Sequence, residues 1–558
     1  MKYELGGHSD LIAEKVLDLR DERIVERILE KDFTIWGNDP HEIFNRLGWL
    51  NSPSVTLQAL NEITEFVDGV RKDGFTDALL MGMGGSSLAP EVFSLMFGTK
   101  KGYLNLHVLD STHPEAVLNY EKKLNPSETL YIVSTKSGGT VETISFMKYF
   151  YNSAMKKVGK EKVGNHFAAI TDPGSGLEKM ATDLNFRKIF LNDPDIGGRY
   201  SALSFFGIVA AAVVGVDLKK LLSHASEMTE ACKISGNGIS KNTAALLGVI
   251  IGELANEGRD KLTFISSEKF SNFGAWAEQL IAESTGKIGK GILPVDLEPF
   301  QPANKYSDDR VFVCFRLRDD SSLDNQIDKI KKAGHPLIEI ELNDIYDLGK
   351  EFFRWEFATS VIGWVIGIQP FDQPNVEQAK VIAKKMVKEF QEKGKLPDLK
   401  PALENNGIKV YGDADGKTPT EMLNNFLSQP KSGENYICIQ AYLKPSDKAW
   451  QELQNLREKI LKKYKCATTL GYGPRFLHST GQLHKGDAGN GFFIQLVADE
   501  KENTPIPDEA GSDKSSITFG TLIKAQSLGD RQALLDNGRK VIRVDLGNQI
   551  KENLLQLI

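Results

Sequence analysis

Two loops rich in glycine and hydroxyl groups carry the first chemical signal. "GMGGSSLAPE" (82–91) follows the apolar run "DALLM", and "STKSGGTVET" (134–143) follows "LYIV". Glycine lets a backbone approach an anion closely, and the N–H groups at the start of a following helix aim at it. Gly85 and Ser86 in the first loop, with Thr135, Lys136, Ser137 and Thr140 in the second, make a donor set suited to a dianionic phosphate. The first loop lacks the third glycine of G-x-G-x-x-G, which disfavours a dinucleotide. Neither loop has the order G-x-x-x-x-G-K-[ST], which disfavours a nucleoside triphosphate. One such loop alone reads equally well as a plain strand–helix turn. Two of them on neighbouring strand ends of one sheet favour a phosphate monoester over structural turns.

Two further residues bear on reaction rather than binding. Arg199 follows a glycine pair in "DIGGRYS", and Glu283 ends the apolar helix pattern "FGAWAEQLIAE". A partly desolvated carboxylate there would have its pKa raised toward the range of a general base. By spacing alone, a solvated helix-end glutamate and a surface ion pair remain the plainer readings of the two.

The elements that must position these residues alternate along the chain. Short β-rich runs at "DALLMGM", "LNLHVLD", "TLYIVST", "HFAAIT" and "KIFLN" are separated by helical patterns or turns, the rhythm of βαβ units in a parallel, doubly wound sheet. The rhythm restarts at "KLTFIS", "GILPV", "RVFVCFRL" and "PLIEIEL", followed by long helical stretches, and breaks at the Pro- and Gly-punctuated "GKLPDLKPALENNG". A third unit carries strands at "NYICIQAYL", "GFFIQLV" and "KVIRVDL". "RVFVCFRL" and "NYICIQAYL" look alike, but as ordinary core-strand patterns do. The expected division is a helical segment over 1–60, α/β units over 61–234 and 235–395, and a further α/β unit over 396–558. The polar stretch "ADEKENTPIPDEAGSDKSS" reads as a mobile surface loop.

A chain of 558 residues exceeds one core, and 41% hydrophobic with 26% charged residues fits a soluble globular protein. A formal net charge of −7 argues against a nucleic-acid footprint. Cys232, Cys314, Cys438 and Cys466 are scattered, without a CxxC pair, and read as buried thiols of a reducing cytoplasm. "MKYELGGHSD" has no apolar h-region, so no signal peptide is expected. The apolar stretch "SALSFFGIVAAAVVGV" falls short of the roughly 20 residues a bilayer needs and reads as a buried core helix, so no membrane partner is expected. No two histidines sit at metal-ligand spacing on a helix, and neither a metal nor another cofactor is expected.

Together, "GMGGSSLAPE", "STKSGGTVET", "GGRYS", "AESTGKIGKGILP" and "FDQPNVEQAK" resemble, in order and approximate spacing, the motifs of phosphoglucose isomerases. Those enzymes are built from two sugar-isomerase (SIS) domains. The resemblance covers roughly residues 45 to 390; the later part looks like the isomerase half of bifunctional transaldolase–isomerase proteins, with no segment long enough for the transaldolase barrel. "GGRYS" and "FDQPNVE" are the specific signatures. The resemblance implies two doubly wound SIS domains and a cytoplasmic aldose–ketose isomerase. Its reaction would interconvert glucose 6-phosphate and fructose 6-phosphate through a cis-enediolate. It also implies roles: Ser86, Thr135, Lys136, Ser137 and Thr140, with the Gly85 backbone, for the phosphate; Glu142 close to the sugar; Glu283 as the base between C1 and C2; Arg199 as the cation near the enediolate. Gln373 and Lys380 would belong to a closing segment whose lysine assists ring opening. The partner is a small sugar phosphate, and the assembly a homodimer.

One departure stands out. The family's "GQH" element, whose histidine reaches the ring oxygen from a neighbouring subunit, has no counterpart between Glu283 and Gln373, where only His335 occurs. "GPRFLHSTGQLHKGD" in the third unit offers His478 and His484 instead, with His484 favoured for ring opening; such a loop would complete the site within one chain and allow a monomer. Asp110 and His113 of "LDSTHPE" read as structural support for the phosphate loops. Two other readings stay open: a non-catalytic SIS-type sugar-phosphate sensor, which has no reason to keep Glu283, Arg199 and Lys380 together, and an isomerase that also takes mannose 6-phosphate.

Overall fold

The computed structural model describes residues 1–557, and within it three parallel sheets repeat one strand order. A short strand β1 (Lys2–Glu4) precedes β2 (Asp77–Met81), β3 (Asn105–Leu109), β4 (Thr129–Ser134), β5 (Phe167–Thr171) and β6 (Lys188–Leu191). The first sheet runs β3-β2-β4-β5-β6, all parallel. The chain steps outward from β2 to β3, then returns to the other side of β2 for β4. That reversal leaves a crevice at the carboxyl ends of β2 and β4. Met81 pairs with Val133 in register, so the two phosphate-type loops start side by side.

The second sheet, from β7 (Lys261–Ser266), β8 (Leu293–Val295), β9 (Arg310–Leu317) and β10 (Leu337–Leu342), has the order β10-β9-β7-β8. The third contains β11 (Leu403–Asn405), β12 (Ile408–Tyr411), β13 (Tyr436–Tyr442), β14 (Ala467–Tyr472) and β15 (Gly491–Val497). A two-residue hairpin, β16 (Pro505–Ile506) and β17 (Ile517–Thr518), separates these from β18 (Lys540–Asp545). Its parallel part is β18-β15-β13-β14, the same reversal again, with β12 and β11 added antiparallel at one edge.

Six helices matter for the site: α1 (Val141–Val158), α2 (Phe205–Val214), α3 (Phe273–Thr285), α4 (Leu348–Ile366), α5 (Val376–Lys393) and α6 (Phe519–Asp536). Helix α2 is buried over all but its first residue, as its continuous apolar run requires, and among the described residues no helix is long and apolar enough to cross a membrane. Helix α3 is locked to α4 by aromatic packing, with the Trp276 and Phe352 rings 4.6 Å apart at their centroids and edge to face. This packing fixes the helix that carries Glu283.

Three expectations change. Residues 1–60 are not helical throughout: β1 pairs antiparallel with β10 and covers its edge, held by ion pairs Lys2–Glu341 and Lys331–Glu4. A three-residue strand has no period to read. Strand β14 has no apolar run to mark it in the sequence, because its first half carries the buried polar residues Thr468 and Thr469. The segment around residue 505 docks on α1 rather than standing free. Asn152 donates to the Ser512 carbonyl (2.7 Å) and accepts from the Gly511 amide (2.6 Å), while Ile506 is buried.

The second and third units meet at a buried charge cluster. Arg310 Nη1 lies 2.9 Å from Glu298 Oε2, with both side chains 1% exposed. Glu298 Oε1 accepts from the Thr468 amide (2.7 Å) and hydroxyl (2.9 Å) on β14. Removing one partner of a buried pair costs about 3–5 kcal/mol, because the other charge is left uncompensated. Glu298→Ala is expected to destabilise by that order and to expose β14 amides to hydrogen exchange well before those of β2 and β4. Unchanged β14 protection would show that the cluster does not join the units.

Candidate functional site

A cavity of about 530 Å³ opens where the strand order reverses between β2 and β4. Gly85 and Ser86 from the first loop, and Thr135, Lys136, Ser137 and Thr140 from the second, line it together. Two glycines are required by contact. Gly84 has φ of +55°, and a Cβ on it would lie 2.6 Å from the His478 carbonyl oxygen; a Cβ on Gly85 would lie 2.0 Å from the Gly198 carbonyl oxygen. Bare backbone at these positions lets the first loop touch both the Arg199 turn and the third unit. The Thr135 and Thr140 hydroxyls are 2.9 Å apart, and Thr140 does not cap α1 with its own side chain, leaving the first-turn amides of an 18-residue helix for an anion. Lys136 is paired with Asp172 and also donates to the Pro194 carbonyl (2.7 Å).

The opposite wall is built around Arg199, buried to 3% exposure. Its Nε donates to Ser284 Oγ (2.7 Å), Nη1 to Gln373 Oε1 (2.8 Å), and Nη2 to the carbonyls of Pro370 (2.7 Å) and Asp372 (3.0 Å). Nη1 lies 3.6 Å from Glu283 Oε1. The other oxygen of Glu283 accepts from Gln279 Nε2 at 2.9 Å. With its side chain only 12% exposed, Glu283 is not the solvated helix-end residue that spacing alone suggested, nor is Arg199 a surface cation. Beneath them, buried Lys287 donates to the Asp372 carbonyl and carboxylate, both at 2.6 Å. Burial, with help from the Arg199 charge, pushes its pKa down to about 8 despite Asp372. Gln373 and Lys380 line the mouth; Lys380, in the first turns of α5, is half-exposed and paired with Glu377 at 2.9 Å.

The third unit contributes His478. It lines the cavity, its carbonyl accepts from Gln279 Nε2 (2.9 Å), and its Nε2 lies 3.0 Å from Glu142 Oε1. Glu142 is set just behind this wall, on an adjoining cavity of about 370 Å³. Burial alone would raise its pKa, but the charge and hydrogen bond of His478 outweigh burial and hold it below the usual value. Gln526 of α6 donates to the same Glu142 oxygen (2.6 Å) and accepts from Thr112 Oγ1 (2.6 Å).

His484 does not reach the site. The short helix Gly481–Gly486 turns its ring inward, 1% exposed, with Nε2 3.6 Å from Cys438 Sγ and the ring against Phe493. Burial drives its pKa well below the usual imidazole value, and its ring packs in the core. Of the Asp110–His113 pair, only Asp110 supports a phosphate loop, near Ser87 Oγ (3.4 Å) and Arg475 (3.1 Å), whereas His113 caps the helix Pro114–Lys123 by accepting from the Glu115 amide. Burial raises the Asp110 pKa to about 6, against the pull of Arg475.

Sequence reasoning passed over Gln279, Arg46 and Asp172, all of which line the cavity. Gln279 had a signal: it lies four residues before Glu283 on one helix, hence on the same face. Arg46 and Asp172 had none, being single charged residues in separate segments. Among the described residues one cluster could hold a metal ion, His224 with Asp344 and Asp347; none of the three lines the cavity, and Lys220 and Lys350 already pair with its carboxylates.

One cavity thus joins an anion cradle, a carboxylate beside a fixed guanidinium, and an imidazole backed by a second carboxylate. These are the parts for moving a proton between adjacent carbons of a phosphorylated substrate.

Known proteins fit this geometry. Residues 57–292 match the family model described as phosphoglucose isomerase. A probable glucose-6-phosphate isomerase of Methanococcus maripaludis is 30% identical over 384 residues, 61% of this chain and 84% of the relative. The glucose-6-phosphate isomerase of Rubrobacter xylanophilus is 26% identical over 415 residues, 64% of this chain and 95% of the relative. The fold is shared with a glucose-6-phosphate isomerase structure from Chlamydia trachomatis, with a TM-score of 0.56 at 17% identity over 68% of this chain and 86% of that one. A hypothetical protein from Thermus thermophilus has a TM-score of 0.57 at 24% identity, over 69% of this chain and 99% of that one. With the site built from the same motifs that first suggested it, and a relative matched over most of its length, the chain belongs to the phosphoglucose isomerase family.

Proposed function

We propose that this protein is a glucose-6-phosphate isomerase, an enzyme that interconverts glucose 6-phosphate and fructose 6-phosphate. The observation that carries this reading is the convergence of Glu283, Arg199 and His478 on the cavity that holds both phosphate loops. Ser86, Thr135, Ser137 and Thr140, with the Gly85 backbone and Lys136, hold the phosphate and so use remote binding energy to orient the reacting carbons. Glu283 takes the proton from C2 of the open-chain aldose and returns it to C1. Gln279 and Arg199 hold its two oxygens in place, and the Arg199 guanidinium steadies the negative charge that grows on the enediolate oxygens. His478, oriented by Glu142, serves the ring oxygen, and Lys380 and Gln373 close the mouth.

His478 comes from the chain's own third unit, which supports a site complete within one chain, although the resemblance alone implies a homodimer. We read the units as a first segment to about residue 60, SIS domains over 61–234 and 235–395, and a C-terminal α/β domain over 396–558, with the chain closest to the isomerase half of transaldolase–isomerase proteins. Four buried free thiols support a cytoplasmic location.

Coupled detection of glucose 6-phosphate formed from fructose 6-phosphate, with a chelator present, tests the reading. Loss of a positioned general base costs about 10²–10⁴-fold, so Glu283→Gln is expected to lose turnover by that factor while still binding the sugar phosphate. Wild-type binding without turnover would sink the isomerase reading in favour of a sensor. The two histidines separate cleanly. His478→Ala is expected to slow turnover of closed-ring substrate by about 10²-fold, with far less effect on an open-chain analogue. His484→Ala is expected to keep turnover per folded molecule and to lower Tm, because it leaves a cavity beside Phe493. The opposite pattern would return ring opening to His484.

A further inference from the structure

The third sheet has the same order reversal as the first, between β13 and β15, and a second cleft opens there. It has a volume of about 590 Å³ and lies at the carboxyl ends of β13, β15 and β18, with the edge strands β11 and β12, the 395–401 segment and α6 as its other walls. In open α/β sheets that is where ligands bind, and the volume suits a small molecule.

The sheet beneath it carries polarity that packing does not need. Register sets Gln440, Gln495 and Arg543 side by side across β13, β15 and β18, all buried where a parallel sheet is normally apolar. Arg543 lines the cleft at 8% exposure. Its Nη1 donates to Gln495 Oε1 and to Ser527 Oγ (3.2 Å), both neutral groups, and among the described residues its guanidinium forms no ion pair. Buried charges are ordinarily paired. Burial lowers its pKa to about 10, and nearby Asp545 offsets this only in part. The rim is mixed in charge: Lys395, Lys409 and Lys524 on one hand, Asp398, Glu404, Asp499, Glu500 and Asp545 on the other, with Lys524 and Glu500 paired at 2.8 Å.

We propose that this cleft is a second ligand site, taking a small organic anion whose charged group meets Arg543 and whose hydroxyl or amine donors meet the rim carboxylates. Helix α6 joins it to the first site. Ser527, which accepts from Arg543, follows Gln526, which donates to Glu142. An anion on Arg543 acts through that turn of α6 on the group holding Glu142 against His478. This coupling rests on the isomerase reading; the site itself does not.

Calorimetric titration of the full chain with inorganic phosphate and with citrate tests the site, and the tighter probe identifies the anionic group. Wild type is expected to bind one equivalent more than Arg543→Met. Losing charge-assisted hydrogen bonds weakens binding about ten-fold or more, the effect expected for Arg543→Lys. Repeating the titration on a Ser86→Ala, Thr140→Ala background removes the first sheet's anion cradle from the readout, so the result stands whether or not the protein is an isomerase. Equal stoichiometry and affinity in wild type and Arg543→Met, for both probes, overturns the site. If Arg543→Met does not fold, undiminished binding of both probes by Arg543→Lys overturns it instead.

Discussion

Much of the cavity wall opposite the two glycine-rich loops depends on one buried guanidinium. Arg199 spends its donors on Ser284 of α3, on Gln373, and on the carbonyls of Pro370 and Asp372, and still stands 3.6 Å from Glu283. A buried arginine is costly unless its fixed fork of donors is satisfied, and here that requirement ties the helix carrying Glu283 to the 370–373 segment. Lys287 repeats the logic one layer deeper by holding Asp372. A lysine at position 199 would carry the same charge but could not span these partners, because an ammonium lacks the planar fork.

Loop one depends on a different constraint, close backbone contact. Gly85 lies against Gly198, at the start of the Arg199 turn, and Gly84 lies against the His478 carbonyl. The first loop is thereby positioned relative to both the guanidinium and the imidazole without an intervening side chain. Gln279 closes the arrangement from α3, donating to Glu283 and to His478 at once. Such supports on regular elements give the precision that reactive groups need.

One strand order repeats across the three sheets. An order reversal opens a crevice at the carboxyl ends of an open sheet, and cavities lie there in the first and third sheets. In the first sheet that crevice holds the glycine-serine loops; in the third, the corresponding crevice is lined by Arg543. The third unit places His478, from the loop after β14, on the first sheet's cavity, and sets Gln526 of α6 against Glu142.

By itself, the sequence determined the local chemistry. Two hydroxyl-rich loops behind apolar strands, a buried apolar helix at 205–214, alternating strand and helix patterns, and the run of motifs from "GMGGSSLAPE" to "FDQPNVEQAK" all depend on short-range spacing, and all were legible. Tertiary structure alone decided which histidine faces the cavity. His478 and His484 lie six residues apart in one glycine-bearing loop of equal polarity, and only the inward turn of the helix Gly481–Gly486 separates a cavity wall from a core. Arg46 and Asp172 reach the cavity from separate segments, and Gln526 reaches Glu142 from 384 residues away. Local pattern is written by backbone geometry over a few residues, whereas such convergence is set by how whole layers pack, and no spacing along the chain encodes it.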